Sequence, residues 1–181
     1  VSAVVPEMEL SASFYHHGDH HLCLGVYLPH FEHIDLHPMG YYNCKDELGI
    51  KNTYIPLMVE DQGDRPNDMD FLGDGGLITC TAARSNKVEM PYFVSYCEMV
   101  PKILMETGGK HVHIGRLTPW ALFRIRTQMK SYGIQPDCFI YIPWVPSVWV
   151  ALHDYRVDLY IASFPYGGGL TLIEAMGAGV P

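Results

Sequence analysis

The residues of this chain best suited to chemistry lie between Val157 and Pro181. The apolar run Val157 to Ala162 predicts a short strand, Gly167, Gly168 and Gly169 predict a loop, and Leu170 to Gly177 predicts a helix that the loop opens into. Glycines let a ligand approach the backbone closely, and the first helical N–H groups, at the positive end of the helix dipole, face whatever sits there. Thr171 adds a hydroxyl, and Glu174, about one turn into the helix, adds a carboxylate able to accept hydrogen bonds from sugar hydroxyls. Phosphate and polyol recognised side by side point to a nucleotide sugar.

A second group follows an earlier strand-like run, in the stretch from Thr81 to Lys87. Arg84 and Lys87 are two cations in a protein of net charge −8. At the carboxyl end of a strand they are placed to neutralise a diphosphate leaving group. The plainer alternative makes them ordinary loop charges. Their pairing with the glycine loop favours the functional reading, because a parallel sheet puts both loops at one edge. The turn Pro143-Trp144-Val145-Pro146 would reach the same edge.

A third group is rich in histidine, running from Tyr15 to His21 with Asp19 and His20 inside it, followed by His30, His33, Asp35 and His37. Imidazole and carboxylate ligate zinc. Adjacent histidines on an extended segment point to opposite faces, however, and no Cys or helical His pair completes a tetrahedral set. The sequence therefore favours a metal-free cleft loop in which Asp19 or His20 acts as general base or holds the sugar, with His30, His33 and His37 as structural residues. Trp120, Trp144 and Trp149, among apolar neighbours, read as packing residues.

The elements that must position these groups alternate from Gly76 onward. Strands are expected at Leu77 to Ala82, His111 to Ile114, Cys138 to Ile142 and Val157 to Ala162. Helices are expected at Pro91 to Thr107, from the Thr118-Pro119 start to about Tyr132 before Gly133, and at Ser147 to Asp154. Such units predict an α/β fold with a doubly wound parallel sheet and ligands outside the carboxyl ends of its strands. Residues 60–75 are acidic and turn-rich and read as a linker. Residues 1–59 read as the end of a preceding α/β domain and residues 76–181 as a nucleotide-sugar-binding domain cut short at its C-terminus. The Val1 start and the Val180-Pro181 end lead us to expect a fragment, poorly active by itself.

Composition sets outer limits. Hydrophobic residues at 48% and charged residues at 18% describe a core-forming chain. Twelve Lys and Arg against twenty Asp and Glu argue against nucleic-acid binding. No apolar run reaches the roughly 20 residues of a membrane span. The five cysteines, Cys23, Cys44, Cys80, Cys97 and Cys138, are scattered and odd in number, a pattern expected of a cytoplasmic protein.

From Leu77 to Pro181 the chain resembles glycosyltransferases of the two-Rossmann-domain, GT-B architecture. It is most similar to the O-linked N-acetylglucosamine transferases and the related bacterial protein glucosyltransferases. The resemblance rests on the strand, glycine loop and helix, on Thr171 and Glu174 at their spacing, on the following Gly179-Val-Pro181, and on Lys87 after the first strand. It implies transfer of a sugar from a nucleoside diphosphate sugar, with uridine as nucleoside, to a carbohydrate or protein acceptor, without metal or other cofactor. Gly168, Gly169, Leu170 and Thr171 would then hold the diphosphate, Glu174 the ribose, and the backbone of Pro143 and Val145 the uracil. Two departures stand out. Gly169 and Leu170 occupy positions where polar donors are usual in this group, and Tyr166 stands where many retaining enzymes carry a first Glu, which favours inversion. Two rivals stay open: an epimerase or phosphorylase of the same architecture, and a non-catalytic metal-binding module built on the histidines. The oligomeric state is open as well.

Overall fold

The computed structural model describes residues 11–16, 24–63 and 76–181. The chain divides into two compact units, Val1–Met58 and Val59–Pro181. Asp19 and His20 lie outside the described residues, as do Cys23 and most of the expected linker.

The first unit contains three short strands, β1 (Ser13–His16), β2 (Glu32–Asp35) and β3 (Asn52–Tyr54), paired in parallel in the order β1-β2-β3. Between β2 and β3 run a short helix, α1 (Pro38–Tyr42), and a wider π-type turn over Asn43–Glu47. Pro38 suits the helix start, where its missing N–H leaves nothing unpaired.

The second unit carries a four-stranded parallel sheet made of β4 (Ile78–Ala82), β5 (Lys110–Ile114), β6 (Phe139–Ile142) and β7 (Leu159–Tyr160). The strand order β6-β5-β4-β7 reverses direction between β4 and β7, which makes that gap the topological switch of the sheet. Helices cover both faces. On one side α3 (Tyr96–Thr107) and α4 (Pro119–Ser131) pack Val100, Leu104, Ile125 and Met129 into a common core. On the other, α5 (Val148–Asp154) and α6 (Gly169–Gly177) close over Cys80, Val112 and Ile114. Alternate residues of β5 thus enter different cores, as the two-residue period of a strand requires.

Capping explains several boundaries. Thr118 accepts a hydrogen bond from the Ala121 N–H and starts α4 ahead of Pro119, and Ser147 does the same for the Val150 N–H at α5. Gly108, with φ of 64°, ends α3 in the left-handed region.

Other elements differ from the sequence reading. Helix α3 begins at Tyr96, not Pro91: Ser95 is its extended N-cap, and Tyr92 and Phe93 stack on each other outside the helix. Strand β7 is Leu159–Tyr160 rather than the expected six residues, and beside it the Asp158 carboxylate accepts from the Ile78 N–H. Lys87 lies in a single helical turn, α2 (Ser85–Val88), rather than in open loop. Val59, expected in the preceding domain, and residues 60–63 of the expected linker belong to the second unit, where Val59 packs against the core and the Gly63 carbonyl accepts from Trp149 Nε1 at 3.0 Å.

A polar network is buried under α3. Thr79 donates to the Lys110 carbonyl, so His111 Nδ1–H donates to Thr79 Oγ1 at 2.8 Å, and the Tyr96 hydroxyl spans His111 Nε2 at 3.0 Å and His113 Nδ1 at 2.6 Å. Burial, with help from neighbouring His113, lowers the pKa of His111 to about 3. Burial lowers that of His113 to about 4, against the opposing pull of the Ala83 and Gly115 backbone. The pair is neutral and structural, and each ring stacks on its cross-strand neighbour, Phe139 or Tyr141.

Candidate functional site

At the carboxyl edge of the second sheet opens a cleft of about 860 Å³. Its floor is the turn after β4, carrying Arg84 and Lys87, and its far wall is the turn after β6, carrying Pro143, Trp144 and Val145. Thr171, at the start of α6, closes the third side. The turn after β5, which also lines the cleft, depends on a glycine. Gly115, after β5, has φ of 126°, and a Cβ there would collide with the Ala83 carbonyl.

The turns after β4 and β7 are tied together. Lys87 Nζ donates to the Gly167 carbonyl at 3.3 Å, and the Tyr166 N–H donates to the Lys87 carbonyl at 3.3 Å. Ser163 Oγ holds the Tyr166 carbonyl at 2.7 Å. These bonds place the half-buried Lys87 ammonium at the mouth of α6. Gly168 is the N-cap of that helix, and no side chain caps its first turn. A Cβ at Gly168 would lie 2.8 Å from Thr171 Oγ1 and 3.4 Å from Lys87 Nζ, so the glycine keeps open a space that a side chain would fill.

Thr171 Oγ1 is buried in that space and has no hydrogen-bond partner. The Tyr160 hydroxyl is near it. Burial raises the Tyr160 pKa and the Thr171 hydroxyl opposes the rise, but no hydrogen bond closes between them. A buried hydroxyl left unpaired costs about 1–3 kcal/mol. An oxyanion in front of α6 would satisfy it together with the uncapped N–H groups.

The structure therefore brings together Arg84, Lys87, Pro143, Val145, Gly168 and Thr171. Gly169 forms the first residue of α6, and Leu170 beside it is exposed. Glu174 lies half-buried one turn further along the face that carries Thr171, and it does not line the cleft. Two residues were missed. Arg116, exposed after β5, adds a third cation to the lining, and nothing in its spacing marked it. Trp144 was expected to pack, yet it is 70% exposed at the cleft, and Trp120 is 65% exposed, whereas Trp149 is buried against Gly177 as expected. A Pro on each side of the Trp144-Val145 pair holds that turn outside the core.

The cysteines carry no reactive thiol in this region. Cys80 is buried in the sheet, which pushes its pKa up to about 12. Cys97 is raised for the same reason, opposed by Arg124. Cys80, Cys97 and Cys138 are in no disulfide.

No protein-family model and no curated protein matches the chain. Among solved structures it is similar to the lipopolysaccharide outer core galactosyltransferase WaaB in its apo form, with a TM-score of 0.59 at 16% identity. The match covers 99% of this chain and 51% of that one, so the chain spans about half the length of the galactosyltransferase. The likeness fixes the fold: a GT-B-like α/β architecture, with a Rossmann-type doubly wound parallel sheet preceded by a second α/β unit. It gives no support to the narrower similarity to the O-linked N-acetylglucosamine transferase group. Among the described residues no helix is long and apolar enough to cross a membrane.

Proposed function

We propose that this chain carries the donor site of a glycosyltransferase that uses a nucleoside diphosphate sugar, with uridine as nucleoside, and needs no metal for the transfer. The observation that carries the reading is the unpaired, buried Thr171 hydroxyl at the uncapped start of α6, beside Lys87. The diphosphate lies across Gly168 to Thr171, and the base rests on the turn Pro143 to Val145 with Trp144 as an exposed aromatic surface. Glu174 meets the ribose from the next turn of α6.

The acceptor hydroxyl or amide attacks the anomeric carbon, and the bond from that carbon to the diphosphate oxygen breaks with its electron pair. Negative charge grows on the departing diphosphate. Lys87, Arg84, Thr171 and the amides of Gly168 and Gly169 would stabilise that charge as it grows and hold the diphosphate once it has left. The acceptor proton passes to a base, for which Asp19 or His20 is our assignment from sequence. Tyr166 in place of a first Glu favours inversion at the anomeric carbon. The acceptor is a carbohydrate or protein and the sugar a hexose or N-acetylhexosamine. Cys80, Cys97 and Cys138 as thiols are in keeping with the cytoplasm as the compartment.

The reading meets its test in the products from a nucleotide sugar labelled in the sugar. Transfer of label to an acceptor with release of uridine diphosphate is expected. Label recovered as a free epimerised nucleotide sugar would make the protein an epimerase instead.

A further inference from the structure

The first unit buries an unusual centre. Among its described residues the buried hydrophobic side chains are Ile34 and Cys44, while His16, His33 and Asp35 are buried beside them. His16 ends β1 and Asp35 ends β2, opposite each other in register, and Cys44 comes in from the turn after α1. Sequence reasoning ranked zinc here below a metal-free cleft loop because no Cys or helical His pair completed the set. The fold supplies one.

Hydrogen bonds fix which atoms face inward. The Leu28 carbonyl only accepts, so His33 Nε2, 3.0 Å away, carries a proton. His33 Nδ1 then accepts from His16 Nε2 at 2.9 Å. That leaves His16 Nδ1 facing Asp35 Oδ1 at 2.8 Å and Cys44 Sγ at 3.3 Å, with Sγ and Oδ1 3.7 Å apart. The second carboxylate oxygen of Asp35 is held by Asn52 Nδ2, which also donates to the Tyr41 carbonyl. Both Asp35 and Cys44 approach the same ring nitrogen. A Cys-His-Asp catalytic triad would place them on opposite nitrogens, so this is not one.

Three donor atoms of N, O and S type thus converge, all within 4.8 Å of one another and all on buried residues. We propose that His16, Asp35 and Cys44 form a zinc-class divalent cation site that holds the first unit together. A tetrahedral zinc puts such atoms ~3.3–3.6 Å apart, so the cluster needs only to open by roughly 0.5 Å on its His–Asp edge. The donor set is the borderline one that zinc takes, and the surrounding bonds are those that orient metal ligands: His16 braced through His33 to a carbonyl, and Asp35 braced by Asn52. Binding displaces the Cys44 thiol proton to solvent. The thiolate and carboxylate then balance the two charges of the ion, so the centre is neutral. Water or a further donor completes the fourth position. The site belongs to the first unit and is independent of the donor cleft.

Chelator-treated protein titrated with zinc and, in parallel, with cobalt(II) tests this. One equivalent should bind, and cobalt should show a thiolate charge-transfer band that Cys44→Ser abolishes and Cys23→Ser leaves intact. Asn52→Ala, which removes no ligand, should keep the band and weaken zinc binding roughly 10–100-fold, and it stands as the test should Cys44→Ser fail to fold. The absence of stoichiometric binding to wild-type protein would show that a shared proton alone holds His16 to Asp35 and would overturn the site. So would a band that survives Cys44→Ser, or zinc affinity unchanged in Asn52→Ala.

Discussion

The two units of this chain bury histidines in opposite ways. Under α3, His111 and His113 are chained through Thr79 and Tyr96 with one proton available for each bond, inside a core of Val100, Leu104, Ile125 and Met129. In the first unit His16 meets a carboxylate and a thiol at one nitrogen, among few buried apolar neighbours. A one-way chain of donors and acceptors, which leaves over only the buried His113 Nε2, is part of the packing. A cluster that gathers a ring nitrogen, a carboxylate and a thiol at one point, or a buried unpaired hydroxyl at a helix start such as that of Thr171, marks a place where something else belongs.

If the α3 network is neutral, acid should destabilise it. The folded pKa values of about 3 and about 4 lie below the unfolded value of roughly 6.5, so between them the unfolded chain binds the extra protons. Stability is therefore full above about pH 6.5 and falls as pH drops toward 4, by about 2 kcal/mol for each histidine at pH 5. A Tm falling between pH 7 and pH 5, with a shallower slope in His111→Gln, is the expected result. A flat profile would mean the two histidines are already charged, and the contrast between the units would collapse.

The cleft should respond to charge rather than to packing. Lys87→Ala should lower turnover by ~10²–10³-fold, or about 2.7–4 kcal/mol, with a smaller change in donor binding. Wild-type turnover in that variant would reduce Lys87 to a tie between the turns after β4 and β7. Glu174→Ala should have the smaller effect, a loss of roughly 1.5–3 kcal/mol in donor affinity by calorimetry if it meets the ribose. Unchanged affinity would leave it as a helix residue beyond the site.

The second unit was legible because buried parallel strands are short apolar runs separated by strong capping signals, of which Thr118-Pro119 and Ser147 are the clearest. Pro91 misled because a proline that starts a helix and one that precedes a loop look alike until Tyr92 and Phe93 are seen stacked outside it. Trp144 misled because its exposure comes from the prolines beside it and not from its own type. The first unit hid its order for a different reason: its strands are four residues or fewer, and their buried positions carry His16, His33 and Asp35, which polarity alone assigns to loops. The parallel register of β1 and β2 sets His16 beside Asp35, and Cys44 joins His16 across 28 positions from the turn after α1.

The central claim is that the gap between β4 and β7 takes a diphosphate. Calorimetric titration of the protein with uridine diphosphate and with uridine, for wild type and Thr171→Val, tests it most directly. The account predicts that the diphosphate binds at least tenfold more tightly than the nucleoside. It also predicts that Thr171→Val weakens the diphosphate by roughly 10–150-fold, the range for a hydrogen bond to a charged group, while leaving uridine unchanged. Equal affinity for the two ligands, or diphosphate binding untouched by Thr171→Val, would contradict it.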